Sequence, residues 1–340
     1  MPSSHGPRQR RFLLCVVLLV ATLSMPASRG QANAEPGSPS PESVSICIGG
    51  APGIPVLLAH TLGIFTKEGL NVTLKEYPNA PSAFEGMLAG ECDMTTVGET
   101  PIVMKSFERQ DFSILATLAS SDDATRIIAN KGKGIRSPKD MKGKRLFVHK
   151  GSTNHFFLEM FLLKNGLSAQ DVTLLFKADG DISEALIHGR IDAFAGTEVI
   201  INKSRKVLGD KGIVFSAPGI CLITINLLGM DSAIREKPEV VRSVLNAILQ
   251  AEEKMSKERQ QATQKLSRVM EINERDMAII LGSYIWKVGL AQTLLLSLEQ
   301  EAQWAMDSGF TNKTRIPNYL NFIHRDALRS LKPEAVTIMQ

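Results

Sequence analysis

Residues 151–154, Gly-Ser-Thr-Asn, open an apolar-faced, proline-free segment, HFFLEMFLLKNGL. Serine, threonine and asparagine at a helix start have two uses. A side-chain oxygen can satisfy one of the unpaired N–H groups of the first turn. The free N–H groups and the positive end of the helix dipole can also hold an anionic ligand group. Both uses stay open for Ser152, Thr153 and Asn154. Five acids lie in comparable loops: Glu99, Asp122, Asp123, Asp181 and Glu198. Carboxylates beside an anion site suit a ligand that also bears an amino or other nitrogen donor, because a buried carboxylate needs a partner. Alternatively these acids cap helices, as Asp181 before Ser-Glu-Ala-Leu invites, or pair with cations near a hinge.

Other chemistry is sparse. His60, His149, His155, His188 and His324 are scattered without metal-ligand spacing, and only His155 adjoins the polar loop. There is no Gly-x-Ser-x-Gly elbow, P-loop or Cys-x-x-Cys pattern. Cys47, Cys92 and Cys221 form no disulfide framework and no metal motif, and leave room for a single bridge. Binding fits this inventory better than catalysis, with no cofactor and no metal expected.

The N-terminal residues read as an export signal. Arg8, Arg10 and Arg11 precede the apolar run Phe12–Leu23, and Ala32-Asn33-Ala34 is a cleavage-site pattern. The run is short for a membrane span, so cleavage after residue 34 is expected, followed by a Pro/Ser tether over 35–43. Of the 39 Lys and Arg residues, Arg8, Arg10, Arg11 and Arg29 fall in residues 1–34 together with no acid, leaving 35 to balance the 35 Asp and Glu. The formal +4 of the whole chain therefore belongs to the signal, and nucleic-acid binding loses its compositional support.

The positioning elements come from an internal repeat. One unit runs from Gly53 through KEGL, VTL and GECD to Gly98-Glu99-Thr100. The other runs from Gly151 through KNGL, VTLL and GRID to Gly196-Thr197-Glu198. Gly53 to Gly98 and Gly151 to Gly196 both span 45 positions. Strands alternating with helical segments predict two parallel-sheet α/β lobes, with polar loops at the strand C-termini lining a cleft. Gly-containing stretches at 131–140 and 216–230 predict a double hinge, giving lobe 1 as 44–133 plus 222–340 and lobe 2 as 134–221. From about Asp231 the chain reads as helical, with a solvated charged face on 237–257.

At this point GIPVLLAHTLGIFTKEGLNVTL, LAGECDMTTVGETP, SPKDMKGKRLFVHKGSTNHFFLEMFLLKNGLSAQDV and EALIHGRIDAF resemble the periplasmic solute-binding proteins of ABC importers for nitrate, sulfonates, taurine and thiamine-precursor pyrimidines. The resemblance runs from Val44 to about Leu320. It implies a type II periplasmic binding protein fold, a monomer closing over a small polar ligand, and delivery to a membrane permease with a cytoplasmic ATPase. Carried over by motif, it implies ligand contacts from Gly50, Ala51, Pro52, Gly53, Glu99, Thr100, Ser121, Asp122, Ser152, Thr153, Asn154, Thr197 and Glu198. Two alternatives stand beside transport: a sensory module for a membrane sensor, and an enzyme like the fungal thiamine-pyrimidine synthases, whose cysteine-rich iron site this chain lacks. The ligand itself stays open, between a sulfonate or taurine-like compound and an aminopyrimidine.

Overall fold

A computed structural model describes residues 41–177 and 181–339. The expected export signal and most of the tether lie outside them. The strands are β1 (Glu42–Ile48), β2 (Leu70–Glu76), β3 (Met94–Gly98), β4 (Phe112–Ser121), β5 (Thr125–Asn130), β6 (Arg145–Phe147), β7 (Thr173–Leu175), β8 (Ala193–Thr197), β9 (Gly212–Phe215), β10 (Ile223–Met230) and β11 (Ile285–Gly289). They form two sheets, ordered β11-β4-β10-β3-β1-β2 and β7-β6-β8-β5-β9. Helices pack on both, and the central strands are buried on both faces, which explains runs such as FSILATLASS in place of strict alternation.

The repeat has a physical basis. In each lobe its first strand lies between the other two and pairs parallel with both, as β2-β1-β3 and β7-β6-β8. The aspartate of each Gly-x-x-Asp motif ties the start of the third strand to the first. Asp93 Oδ2 accepts from the Ser45 backbone N–H at 2.7 Å and from its hydroxyl at 2.8 Å. Asp192 Oδ2 accepts from the Arg145 N–H at 2.9 Å, and its Oδ1 takes the Arg145 guanidinium at 2.8 Å. Gly49 shows how tightly the loop after β1 is packed: a Cβ there would come within 2.4 Å of the Asn79 backbone.

The lobe boundary differs from the expected one. The segment TRIIAN belongs to the second sheet, where β5 pairs antiparallel with β8 and β9. The chain therefore first crosses between lobes at Asp122–Ala124. The Gly-rich stretch expected to cross is instead a 3-10 turn at Lys131–Lys133, capped by Asn130. Glycine reported a turn, whereas the crossing is set by which β-partner satisfies the backbone. The return crossing lies between β9 and β10, at residues 216–222, and the two crossings are joined by the Gly219 N–H donating to the Asp122 carbonyl at 3.3 Å.

The C-terminal third is also not wholly helical. IWKVG forms β11, which pairs with β4 at the sheet edge. Helix Pro238–Lys257 buries Val240, Val241, Val244, Leu245, Ile248 and Met255 at helical spacing, packing on helix Ile54–Thr61 and on β11. None of the described helices is long and apolar enough to cross a membrane.

The three cysteines among the described residues resolve into one bridge and one thiol. Cys47 of β1 is joined to Cys92, just before β3, closing a loop with a sequence separation of 45. Cys221 is free and buried. Such a loop restricts the unfolded chain, so replacing Cys47 and Cys92 together with alanine is expected to lower unfolding stability by about 2–4 kcal/mol. Urea unfolding of the oxidised wild type and the double variant measures this directly.

Candidate functional site

The residues of the opening loop have separate tasks. Ser152 is the N-cap of helix Thr153–Lys164: its hydroxyl accepts from the His155 N–H at 3.3 Å and donates to the His149 carbonyl at 2.7 Å. Asn154 Oδ1 accepts from the Thr125 hydroxyl of β5 at 2.9 Å, inside the second lobe. Thr153 faces the other lobe, with its hydroxyl 3.1 Å from that of Thr100. Gly98 lies so close to this contact that a Cβ on it would sit 3.4 Å from Thr153 Oγ1. Helix Glu99–Ser106 starts here without a side-chain cap, and so does its repeat counterpart Glu198–Leu208 after Thr197.

Four of the five acids have partners within the protein. Glu99 is fully buried, and its Oε2 accepts from the Thr224 N–H at 2.7 Å and the Thr224 hydroxyl at 3.1 Å. Burial raises its pKa against these bonds. Glu198 accepts from Arg126 Nη1 at 3.2 Å and from the Ser283 hydroxyl at 3.1 Å, while Arg126 Nη2 donates to Asp123 at 2.7 Å. Asp181 caps helix Ile182–Ile187 and binds Lys203 at 2.8 Å; that ion pair and the capping N–H groups bring its pKa down to about 2. Asp122 is exposed at the first crossing, and Ser121 is buried with its hydroxyl accepting from the Asp123 N–H at 3.2 Å. The expected row of acids facing a ligand is thus replaced by internal pairs: carboxylates short of water take the nearest donors.

In the Gly50–Gly53 loop, the turn Ala51–Gly53 packs on β3. Gly50, Gly53, Glu76, Tyr77 and Met270 border a cavity of about 370 Å³ whose walls all come from the first lobe. Ala51 and Pro52 form the half-buried 3-10 turn beneath it. The structure therefore brings Thr100 and Thr153 together, with Gly98 beside them. Glu198 meets Arg126 and Ser283.

Three features escape sequence reading. Arg126, two residues beyond the first crossing, joins Asp123 to Glu198, and its Nε has no partner among the described residues. Glu301, on helix Gln292–Asp307, is buried beside Glu99. A polar clamp also joins the lobes, with Glu159 accepting from Trp304 Nε1 at 2.8 Å and from the Ser308 hydroxyl at 3.0 Å. His155 completes it. Its Nδ1 accepts from the Gly151 N–H, and its Nε2 lies 3.0 Å from Glu159 Oε1 without hydrogen-bond alignment. Burial would raise the Glu159 pKa, but these donors outweigh it and lower the value. Beside the clamp lies a cavity of about 930 Å³ lined by Lys150, Phe176, Trp304 and Phe310. Only His155 offered a sequence signal, through its place after the polar loop.

Two lobes linked by paired crossings, with helix starts facing each other at the strand ends, define the class: a periplasmic binding protein fold. The structure of the periplasmic aliphatic sulphonate binding protein from Escherichia coli superposes with a TM-score of 0.72 at 19% identity, covering 84% of this chain and 98% of that one. The model of the NMT1/THI5-like family matches residues 53–262, and the chain belongs to that family. A putative aliphatic sulfonates-binding protein of Bacillus subtilis is 27% identical over 179 residues, 50% of this chain and 54% of the relative. The 4-amino-5-hydroxymethyl-2-methylpyrimidine phosphate synthase of Schizosaccharomyces pombe is 26% identical over 209 residues, 57% of this chain and 59% of the relative. The chain thus spans little more than half the length of these two relatives.

The clamp gives a stability test. Glu159→Ala strands the buried indole hydrogen of Trp304 and is expected to cost about 2–3 kcal/mol, because an unsatisfied buried donor loses its full solvation. Glu159→Gln keeps an acceptor oxygen and costs less. Both are read by denaturant unfolding.

Proposed function

We propose that this chain is the extracytoplasmic solute-binding component of an ABC importer and takes a small sulfonate-like anion between its lobes. The observation that carries the reading is the Thr100–Thr153 contact at 3.1 Å, where two helices of opposite lobes begin. Helix starts favour negative charge, and two threonine hydroxyls can turn from each other toward a ligand oxygen. The unpartnered Nε of Arg126, near the first crossing, adds a donor of the right sign.

The ligand choice follows from the acids. With Glu99, Asp123, Asp181 and Glu198 engaged internally, the argument for an amino group on the ligand weakens, and a sulfonate is favoured over an aminopyrimidine. The Cys47–Cys92 bridge fits an oxidising compartment outside the cytoplasm. A synthase reading has less support, because those two cysteines are tied to each other and the remaining thiol, Cys221, is pushed up to about 12 by burial and the nearby Glu99. A monomer delivering ligand to a membrane permease with its ATPase is the partnership this reading implies.

Residues 35–340, refolded to strip ligand, are expected to gain thermal stability with methanesulfonate or taurine, since a ligand that binds only the native state at a hundredfold over its Kd adds about 2.7 kcal/mol. Thr153→Val should weaken that binding about tenfold, the equivalent of one charge-assisted hydrogen bond. A shift with aminopyrimidines and none with sulfonates would overturn the ligand class, and a shift with neither would overturn the solute reading.

A further inference from the structure

We propose that Glu99 and Glu301 hold a single proton between them at neutral pH, and that this shared proton ties the first lobe's ligand-facing helix start to the pH of its surroundings.

Both side chains are fully buried. Glu99 sits at the first position of helix Glu99–Ser106, and Glu301 lies in helix Gln292–Asp307, which packs against it. One of the four carboxyl oxygens, Glu99 Oε2, holds the N–H and hydroxyl of Thr224. The other three, Glu99 Oε1 and both oxygens of Glu301, have no hydrogen-bond partner among the described residues. The groups acting on the pair are the Thr100 and Thr224 hydroxyls and each other's carboxyl. The titratable neighbours are Cys221 of the return crossing, Tyr284 before β11, and Tyr319 near Glu301. No cation is among them.

Two adjacent, fully buried carboxylates with no cation among the groups acting on them cannot both stay charged, since desolvation and mutual repulsion each penalise the second charge. One proton answers both problems. An O–H from one carboxyl to the other removes a charge and gives two of the orphan oxygens a strong, charge-assisted bond. The remaining negative charge is placed on Glu99, where the Thr224 donors stabilise it. The pKa directions agree: burial raises both groups, and the Glu99 charge raises Glu301 further.

The pair connects to the ligand contact through Thr100, whose backbone follows Glu99 and whose hydroxyl meets that of Thr153. Losing the shared proton places a second negative charge behind that contact. Anion binding there would weaken as pH rises. This last consequence rests on the anion reading above; the shared proton does not.

The test has two arms. In the first, the infrared spectrum of the full folded protein with ¹³C-labelled glutamate is expected to show a protonated-carboxyl C=O band at neutral pH. The band should vanish in Glu301→Gln and persist in the control Glu159→Gln. Because the native pair binds its proton more tightly than the unfolded chain, wild-type stability should fall as pH rises above the ordinary glutamate range. Glu301→Gln donates an N–H to Glu99 permanently, so its melting temperature relative to wild type should climb with pH. If Glu301→Gln does not fold, Glu301→Met, which removes the protonated carboxyl and leaves Glu99 to the Thr224 donors, removes the same band. A wild type with no protonated-carboxyl band at neutral pH overturns the proposal whatever the variants do.

In the second arm, calorimetric titration with ethanesulfonate from about pH 6 to about pH 9 should show affinity falling by up to about tenfold per pH unit in wild type and staying flat in Glu301→Gln. Equal slopes in the two proteins overturn the link to the ligand contact. No ethanesulfonate binding at any pH counts against the anion reading, while the infrared band still decides the shared proton.

Discussion

Each lobe is completed by backbone that arrives from the other. β10 enters the first sheet after the chain has built the second, and it lies between β3 and β4 with both edges paired. β5 likewise carries the chain from β4 into the second sheet, between β8 and β9. Buried strands cannot leave their N–H and C=O groups unmade, so neither lobe can give up its borrowed strand. What freedom remains is concentrated in two short crossings, themselves joined by the Gly219 to Asp122 hydrogen bond. Rotation about that pair is the motion the topology permits. Everything that meets across the gap, from Thr100 and Thr153 to the Glu159 clamp, is placed by it.

The second governing constraint is the cost of burying carboxylates. Asp93 and Asp192 avoid it by capping the neighbouring strand of their own lobe, and this is why a Gly-x-x-Asp motif recurs in both repeats. Asp123 and Glu198 avoid it through Arg126. Glu159 gathers two donors with His155 beside them, and its pKa is lowered despite its burial. Glu99 and Glu301 have Thr224 for one oxygen and only each other for the rest. The same principle therefore gives structural anchors, an interlobe clamp and a proton-sharing pair, according to how many donors lie within reach.

Much of the scaffold was legible in the sequence because it depends on local signals. The two repeats, their parallel strands and the helix start at Ser152 follow from hydrophobic patterning, turn glycines and a capping serine, which act over a few residues. Glycine at 131–134 misled for the same reason: it reports a turn, and says nothing of which sheet the preceding strand joins. The short strand IWKVG was hidden inside a helical stretch, since its strand character comes from the open edge of β4.

The sequence by itself determined the residue types and their spacing: two equivalent units, polar loops at strand ends, and acids and hydroxyls at helix starts. Only the tertiary structure decided what each polar group meets. Glu99 and Glu301 lie in different helices far apart along the chain, as do Thr100 and Thr153, and Glu159 and Trp304; Cys47 and Cys92 are likewise separated in sequence. A side chain's partner is set by distance in space, and whether an acid faces a ligand, an arginine or another acid is settled by the packing that removes its water.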